Sequence, residues 1–109
     1  MIVRVVTARV KPGHHGQFNA LARAWLRILR EQPGLVYVKL ARRLTPEDEQ
    51  DVVLFEEWRD SAALYDWAGP DVTKARLLPG AEEHVIDLRV DHYEALDIDP
   101  AAPPWGDTT

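Results

Sequence analysis

One histidine stands out among the residues that can transfer protons near neutral pH. His92 lies near the end of a β-branched segment, residues 85–94, and its strand face also carries Ile86, Leu88 and Val90. A histidine at the rim of an apolar surface can act as a general base. The alternative is a structural histidine whose ring is satisfied by a backbone carbonyl.

A second candidate base is one of two adjacent glutamates. Glu56 and Glu57 lie in the apolar segment 52–58, so they point to opposite faces of a strand that needs cover on both sides. At least one carboxylate is then expected to be desolvated, which raises its pKa. The other outcome open to such a carboxylate is an ion pair across a dimer, for example with Arg4 or Arg9.

Aromatic and polar residues supply the rest of a candidate pocket. Tyr65 and Trp67 lie on a short helix that ends at Gly69-Pro70, and either packs on a substrate or simply fills the core. Thr7 and Arg9 project to one side of the first strand and can donate hydrogen bonds to a substrate oxygen. The candidate catalytic residues are His92, Tyr65 and Trp67; the candidate substrate-binding residues are Trp58, Thr7, Arg9, Glu56 and Trp25.

Metal and cofactor chemistry find little support. Cysteine is absent, and the sequence has no Gly-rich phosphate loop, HExxH pair, EF-hand loop or GxSxG elbow. The tandem His14-His15 has no third ligand nearby in sequence, and we expect it to be exposed. His84 and His92 are about 26 Å apart along an extended strand, too far to share a metal. We therefore expect no metal and no cofactor.

The remaining residues predict the elements that position these side chains. Strands are expected at 1–11, 35–43, 52–58 and 85–94, and an amphipathic helix at 17–32. A short helix capped by Asp60 or Ser61 follows the third strand. This order, βαββαβ, predicts a ferredoxin-like α+β domain with a four-stranded antiparallel sheet over residues 1–94. Residues 95–109 form a Pro-rich acidic arm that contains Trp105.

The strands indicate a dimer. Ile2-Val3, Val5-Val6 and the segment 52–55 are apolar at consecutive positions, so both faces of the sheet need cover. Two helices cover one face only. The same face of a second copy is the simplest source of the other layer, which gives a two-fold homodimer.

Charge and hydropathy exclude other classes. The net charge is −5, which disfavours nucleic-acid binding. Residues 1–45 carry nine basic groups and one acidic group, whereas residues 46–109 carry four basic and seventeen acidic groups. We expect this split to become pairing within the chain or at a subunit interface. No signal peptide or membrane span is evident, so we expect a cytoplasmic protein.

Several motifs together resemble the antibiotic biosynthesis monooxygenase family. They are, in order, 10–13 (VKPG), 31–35 (EQPGL), 53–60 (VLFEEWRD) and a short helix with Leu64 and Trp67. The resemblance covers about residues 2–94. It implies a dimeric α+β barrel, and activities that include cofactor-independent oxygenation of polycyclic phenols, anthrones or quinols, and haem degradation.

Individual positions narrow the range of activities that the resemblance implies. Where the haem-degrading members have a haem-ligating histidine, this chain has Arg76 or Leu77, and it lacks their pocket asparagine near the end of the first strand. The polyketide oxygenases carry an asparagine and a tyrosine at the positions of Leu54 and Leu64. Haem degradation is therefore disfavoured, and the family mechanism is not matched residue by residue.

The hypothesis is a cofactor-independent monooxygenase of a polyketide-like phenol, anthrone or quinol. Such a reaction needs a base, donors to the developing oxyanion, and a dry aromatic pocket that also admits dioxygen. A cyclase or isomerase that uses the same pocket without oxygen is one alternative. The other is a non-catalytic binding or assembly module that docks through the C-terminal arm.

Overall fold

The chain forms a four-stranded antiparallel sheet with helices packed along one face. A computed structural model describes residues 1–44, 50–75 and 78–96. The elements in chain order are β1 (Ile2–Val10), α1 (His15–Arg30), β2 (Leu35–Arg42), β3 (Gln50–Trp58), α2 (Ser61–Ala68), a 3₁₀ turn (Ala81–His84) and β4 (Val85–Glu94). The sheet order is β2-β3-β1-β4. The predicted βαββαβ ferredoxin-like fold is confirmed.

Alternation along the strands assigns each side chain to a face. In β1 the even-numbered residues from Arg4 to Val10 are buried, whereas the odd-numbered ones are partly or fully exposed. The register pairs Val6 with Leu54 on β3 and with Val90 on β4, so even-numbered residues of the three strands share the helix-facing side. The core therefore lies between this side of the sheet and the two helices.

Helix α1 buries the apolar stripe that its periodicity predicts. Phe18, Trp25 and Leu29 are buried, and the basic residues of the opposite face are exposed. The helix begins at His15, two residues before the predicted start. It ends at Arg30, because the amide N–H groups of the next two residues bond carbonyls three residues back and tighten the last turn.

Helix α2 begins at the predicted cap. The Asp60 carboxylate accepts a hydrogen bond from the Ala63 amide at 2.9 Å, and Gly69 ends the helix with a positive φ of 81°. Leu64 and Trp67 are buried against the sheet. The short helix thus carries its aromatic residues at fixed positions.

Strand β4 departs from simple alternation at its start. The register with β1 shifts between Arg9 and Val10, so that Val10 pairs with Val85. Val85 packs into the core, while Ile86 is 56% exposed. The bulge thus separates Ile86 from the face that holds Leu88, Val90 and His92, which the sequence had assigned to all four residues.

The face opposite the helices is uncovered within the described chain. It carries an apolar centre from β1 and β3, made of Val3, Val5, Val53 and Phe55, and Tyr37 from β2. Phe55 is 39% and Tyr37 49% exposed. The strands are thus apolar on two faces, as the sequence indicated, and the helices cover one of them.

Gly34, in the turn before β2, lies against Ala63 of α2. Gly34 has a φ of 85°, and a Cβ there would overlap with the Cβ of Ala63. Gly13 has a φ of 80° with open space around it. We expect Gly13→Ala to lower the free energy of unfolding by about 1 kcal/mol, and Gly34→Ala by at least about 1 kcal/mol more, measured by urea denaturation. Equal losses would contradict this packing.

Candidate functional site

Three ionisable side chains lie in one row across the helix-facing side of the sheet. Arg4 on β1 pairs with Glu56 on β3 and with His92 on β4. These residues, here called the polar row, interrupt an otherwise apolar surface. Arg4 and Glu56 are 1% and 2% exposed. Adjacent strands place three proton-carrying or charged groups side by side, with Arg4 and Glu56 away from water and His92 partly buried.

Arg4 is held from two directions. Its Nη1 donates to the carbonyl oxygen of Val72 and its Nη2 to that of Lys74, both at 2.8 Å. Nη1 also lies 3.0 Å from Nε2 of His92. The Nε of Arg4 is buried and has no hydrogen-bond partner among the described residues. The guanidinium therefore fixes the segment after α2, and its Nε–H makes no hydrogen bond within the described residues.

Glu56 is the carboxylate that is desolvated. Burial raises its pKa from 4.5 to about 7, and the hydrogen bond from Trp58 and the charge of Arg4 reduce this rise without cancelling it. Trp58 Nε1 donates to Glu56 Oε1 at 3.0 Å. The same burial lowers the pKa of Arg4, against the attraction of Glu56. A carboxyl group with this pKa can give or take a proton near neutral pH.

His92 accepts a hydrogen bond from Arg4. A guanidinium has only donors, so Nε2 of His92 is the acceptor and the hydrogen of the neutral ring is on Nδ1. Burial lowers the pKa of His92, the charge of Arg4 lowers it further, and Asp91 acts in the opposite direction. The ring nitrogen that faces the row is therefore already occupied.

Three tryptophans surround the polar row. Trp58 is fully buried, and its ring stacks on Trp67 with centroids 6.2 Å apart. Trp67 also contacts Trp25 of α1 at 5.0 Å. Together these indoles join the sheet, α1 and α2 into one aromatic cluster. Of the three, Trp58 contacts the Glu56 carboxylate directly, and the burial of that carboxylate raises its pKa.

An apolar cavity adjoins the polar row. On its wall, Val6 lies two residues after Arg4 on β1 and Leu54 lies two residues before Glu56 on β3, each on the same strand face and about 7 Å away. The other lining residues are Ala8, Phe18, Leu21, Ala22, Trp25, Leu40, Val52, Leu78 and Ala81. The cavity holds about 30 Å³, room for a water molecule and far less than a polycyclic ring needs.

The structure brings together some of the predicted site residues and separates others. Glu56, His92, Trp58, Trp67 and Trp25 lie on the helix-facing side, in or beside the polar row and the cavity.

Thr7, Arg9 and Tyr65 lie elsewhere. Thr7 and Arg9 are on the uncovered face, where Arg9 pairs with Asp51 at 3.3 Å, so they do not share a pocket with the polar row. Tyr65 is 51% exposed on α2. Arg76, Leu77 and Trp105 lie outside the described residues.

Arg4 was not predicted from the sequence as a site residue. The sequence suggested Arg4 only as an ion-pair partner for a glutamate in a second subunit. The signal was the alternation of β1, which puts Arg4 on the same face as Val6, Ala8 and Val10. An arginine among buried apolar positions is rare unless it is paired.

A family comparison adds to this geometry. The model of the family described as "Antibiotic biosynthesis monooxygenase" matches residues 1–76. The chain belongs to this family. Membership supports a monooxygenase-type function, and the match contains Arg4, Glu56 and the aromatic cluster. A search of the curated proteins found no match.

Solved structures show the same fold. A crystal structure titled as an antibiotic biosynthesis monooxygenase is 23% identical, covers 89% of this chain and 100% of its own, and has a TM-score of 0.71. A conserved protein from Methanosarcina mazei Go1 is 23% identical, with coverages of 85% and 91% and a TM-score of 0.68. A Nitrosomonas europaea protein titled with the family name is 17% identical, with coverages of 89% and 100% and a TM-score of 0.71.

The described residues also bear on membrane crossing and on metal binding. No helix in residues 1–44, 50–75 and 78–96 combines the length and apolar character that crossing a membrane requires. Within the same ranges no three histidine, aspartate or glutamate side chains converge as a metal site would require.

The raised pKa of Glu56 predicts a pH-dependent stability. Between pH 4.5 and 7 the folded state keeps a proton that the unfolded chain releases, so stability falls as pH rises through this window. Glu56→Gln removes the charge and keeps an oxygen for Trp58. We expect this variant to exceed the wild type by about 3 kcal/mol at pH 8 and to match it below pH 4, measured by urea denaturation. A less stable variant at pH 8 would contradict a desolvated carboxylate.

Proposed function

We propose that this chain is a cofactor-independent monooxygenase of a polycyclic aromatic phenol, anthrone or quinol. The observation that carries the proposal is a buried carboxyl group whose pKa is about 7, next to a buried arginine and at the end of an apolar cavity. These are the base, the oxyanion donor and the dry surface that such a reaction needs. Family membership supports the reaction type.

Glu56 is the base in this proposal. As a carboxylate it takes a proton from the substrate hydroxyl or from the adjacent activated carbon, and the buried Nε–H of Arg4 donates to the oxyanion that forms. His92 positions Arg4 by accepting from Nη1. The sequence suggested His92 as the base, and this stays a prediction. In the structure, Nε2 of His92 accepts a hydrogen bond from Arg4 and is not free to take a proton from a substrate.

The reaction balances without an added reductant. The substrate anion gives one electron to dioxygen, and the two radicals combine to form a carbon–oxygen bond and a hydroperoxide, which is protonated by Glu56. In an anthrone, or in the keto tautomer of a phenol, the reacting carbon is a CH₂ group; loss of its remaining proton to Glu56 and departure of hydroxide convert it to a carbonyl and release water. The carbon loses four electrons, and the two oxygen atoms gain four.

The cavity has to widen for a polycyclic ring to enter. Its wall opposite the sheet includes Leu78 and Ala81, which lie between α2 and β4. In the proposal this segment moves outward together with the side chains of α1, and Trp67 and Trp25 then pack against the bound rings. Tyr65, which is exposed on α2, stays a predicted catalytic residue and has no part in this step.

Oxygen consumption with anthrone and hydroquinone substrates tests the reaction and its base. With anthrone the wild type should consume one dioxygen per carbonyl formed, and with either substrate the rate should rise with pH through about 7 as Glu56 ionises. Glu56→Gln should lower kcat by about 100-fold or more.

His92→Ala is the matched variant and should retain most of the activity. Loss of activity in His92→Ala together with an active Glu56→Gln would assign the base to His92 instead. A wild type that is inactive toward every substrate of this class would overturn the monooxygenase proposal. Product formation under strict anaerobiosis would favour the cyclase or isomerase. The binding-module alternative involves the arm, residues 95–109, of which 97–109 lie outside the described residues.

We also propose that a second copy of the chain covers the free face of the sheet. The support is the apolar centre formed by Val5, Val53 and Phe55 on the side that the helices leave open. Two such faces packed together would form a two-fold interface between sheets.

Phe55→Glu tests the homodimer. A charge at the centre of this face should shift the mass measured by light scattering at micromolar concentration from dimer to monomer. Tyr65→Glu is the control, because Tyr65 is an exposed aromatic residue on α2, on the helix side of the sheet. A dimer that persists in Phe55→Glu, or a monomeric wild type, would count against this interface.

A further inference from the structure

Two histidines 70 residues apart meet at the end of the molecule where α1 begins. Nδ1 of His14 and Nδ1 of His84 are 3.0 Å apart, and the two rings are tilted by 53° with centroids at 5.3 Å. Both side chains are half-buried. The contact joins the residue before α1 to the last residue of the 3₁₀ turn (Ala81–His84), and it lies outside the polar row.

The backbone fixes this pair. The Lys11 amide donates to the carbonyl oxygen of His84 at 2.9 Å, and the His14 amide donates to that of Lys11 at 3.0 Å. The carbonyl of His14 in turn accepts from the Phe18 amide, within the first turn of α1. The two imidazoles are therefore held close by main-chain bonds that do not depend on the rings.

The two ring nitrogens share one hydrogen. For neutral rings to bond Nδ1 to Nδ1, one ring donates and the other accepts, so they are opposite tautomers. If the donating ring moves its hydrogen to Nε2, both Nδ1 lone pairs face the gap between the rings, and rotation of the rings about their side-chain bonds directs both lone pairs at one ion beside that gap. We propose that His14 and His84 form a bidentate site for a divalent late transition metal ion.

The nitrogen separation indicates which ions fit. Metal–nitrogen bonds to histidine are about 2.0–2.1 Å long, so donors 3.0 Å apart subtend about 95° at the metal. Tetrahedral coordination needs a separation of about 3.4 Å, which a small rotation of either ring supplies, so the pair admits both tetragonal and tetrahedral ions. The general affinity order of such nitrogen sites places Cu²⁺ first. Water fills the other positions, because the described residues offer no third ligand there.

Bound metal would connect two walls of the apolar cavity. Phe18, in the first turn of α1, and Ala81, in the 3₁₀ turn, both line it. A metal bridge between His14 and His84 would tie these segments together and should raise the melting temperature. The exposed carboxylates of Glu82 and Glu83 lie in the same turn and increase the local concentration of cations.

Calorimetric titration of the tag-free protein with CuCl₂, NiCl₂ and ZnCl₂ tests the site. We expect one Cu²⁺ per chain, an affinity order of Cu²⁺ over Ni²⁺ over Zn²⁺, and nitrogen hyperfine splitting from two imidazoles in the Cu²⁺ spin-resonance spectrum. His14→Gln and His84→Gln should each weaken Cu²⁺ binding at least tenfold and remove the metal-induced rise in melting temperature.

His15→Gln is the matched control, because it removes an adjacent imidazole outside the pair and should leave the Cu²⁺ affinity unchanged. Unchanged affinity in both His14→Gln and His84→Gln, checked for folding by circular dichroism, would overturn the proposal. An equal loss in His15→Gln would also overturn it, since binding would then be general to surface imidazoles. None of these results depends on the oxygenase activity.

Discussion

Removing the Glu56 carboxylate from water costs free energy that its partners only partly return, and the candidate site depends on this imbalance. Trp58 donates one hydrogen bond and Arg4 contributes a positive charge, yet the pKa of Glu56 still rises to about 7. The cost arises because Glu56 is buried beside the fully buried Trp58, where water does not solvate the charge. Ionisation of Glu56 therefore lowers the stability of the folded chain.

Much of the fold could be predicted because local patterns determine it. The alternation of β1, the apolar stripe of α1 and the Asp60 cap are properties of neighbouring residues, and each has one structural solution. The two-sided apolar character of β1 and β3 follows from the same alternation, and it left one face of the sheet uncovered by helices.

The site was less predictable because it is made by register between strands that are distant in the sequence. Alternation shows that Glu56 and Glu57 face opposite ways, but only the pairing of β1 with β3 and β4 puts Glu56, Arg4 and His92 in one row. A bulge between β1 and β4 moved Ile86 out of the face assigned to it. The contact between His14 and a histidine 70 residues later has no local signal at all.

Arg4 holds the segment after α2 through main-chain atoms, so this attachment itself does not restrict the amino acids of that segment. Its guanidinium grips the main-chain oxygens of Val72 and Lys74, which every amino acid possesses, and makes no demand on the side chains there. Lys74 is exposed, so substitutions there can accumulate without loosening the attachment, whereas Val72 also packs on the core. The outer surface of this segment could therefore change in sequence while the anchoring arginine stays in place.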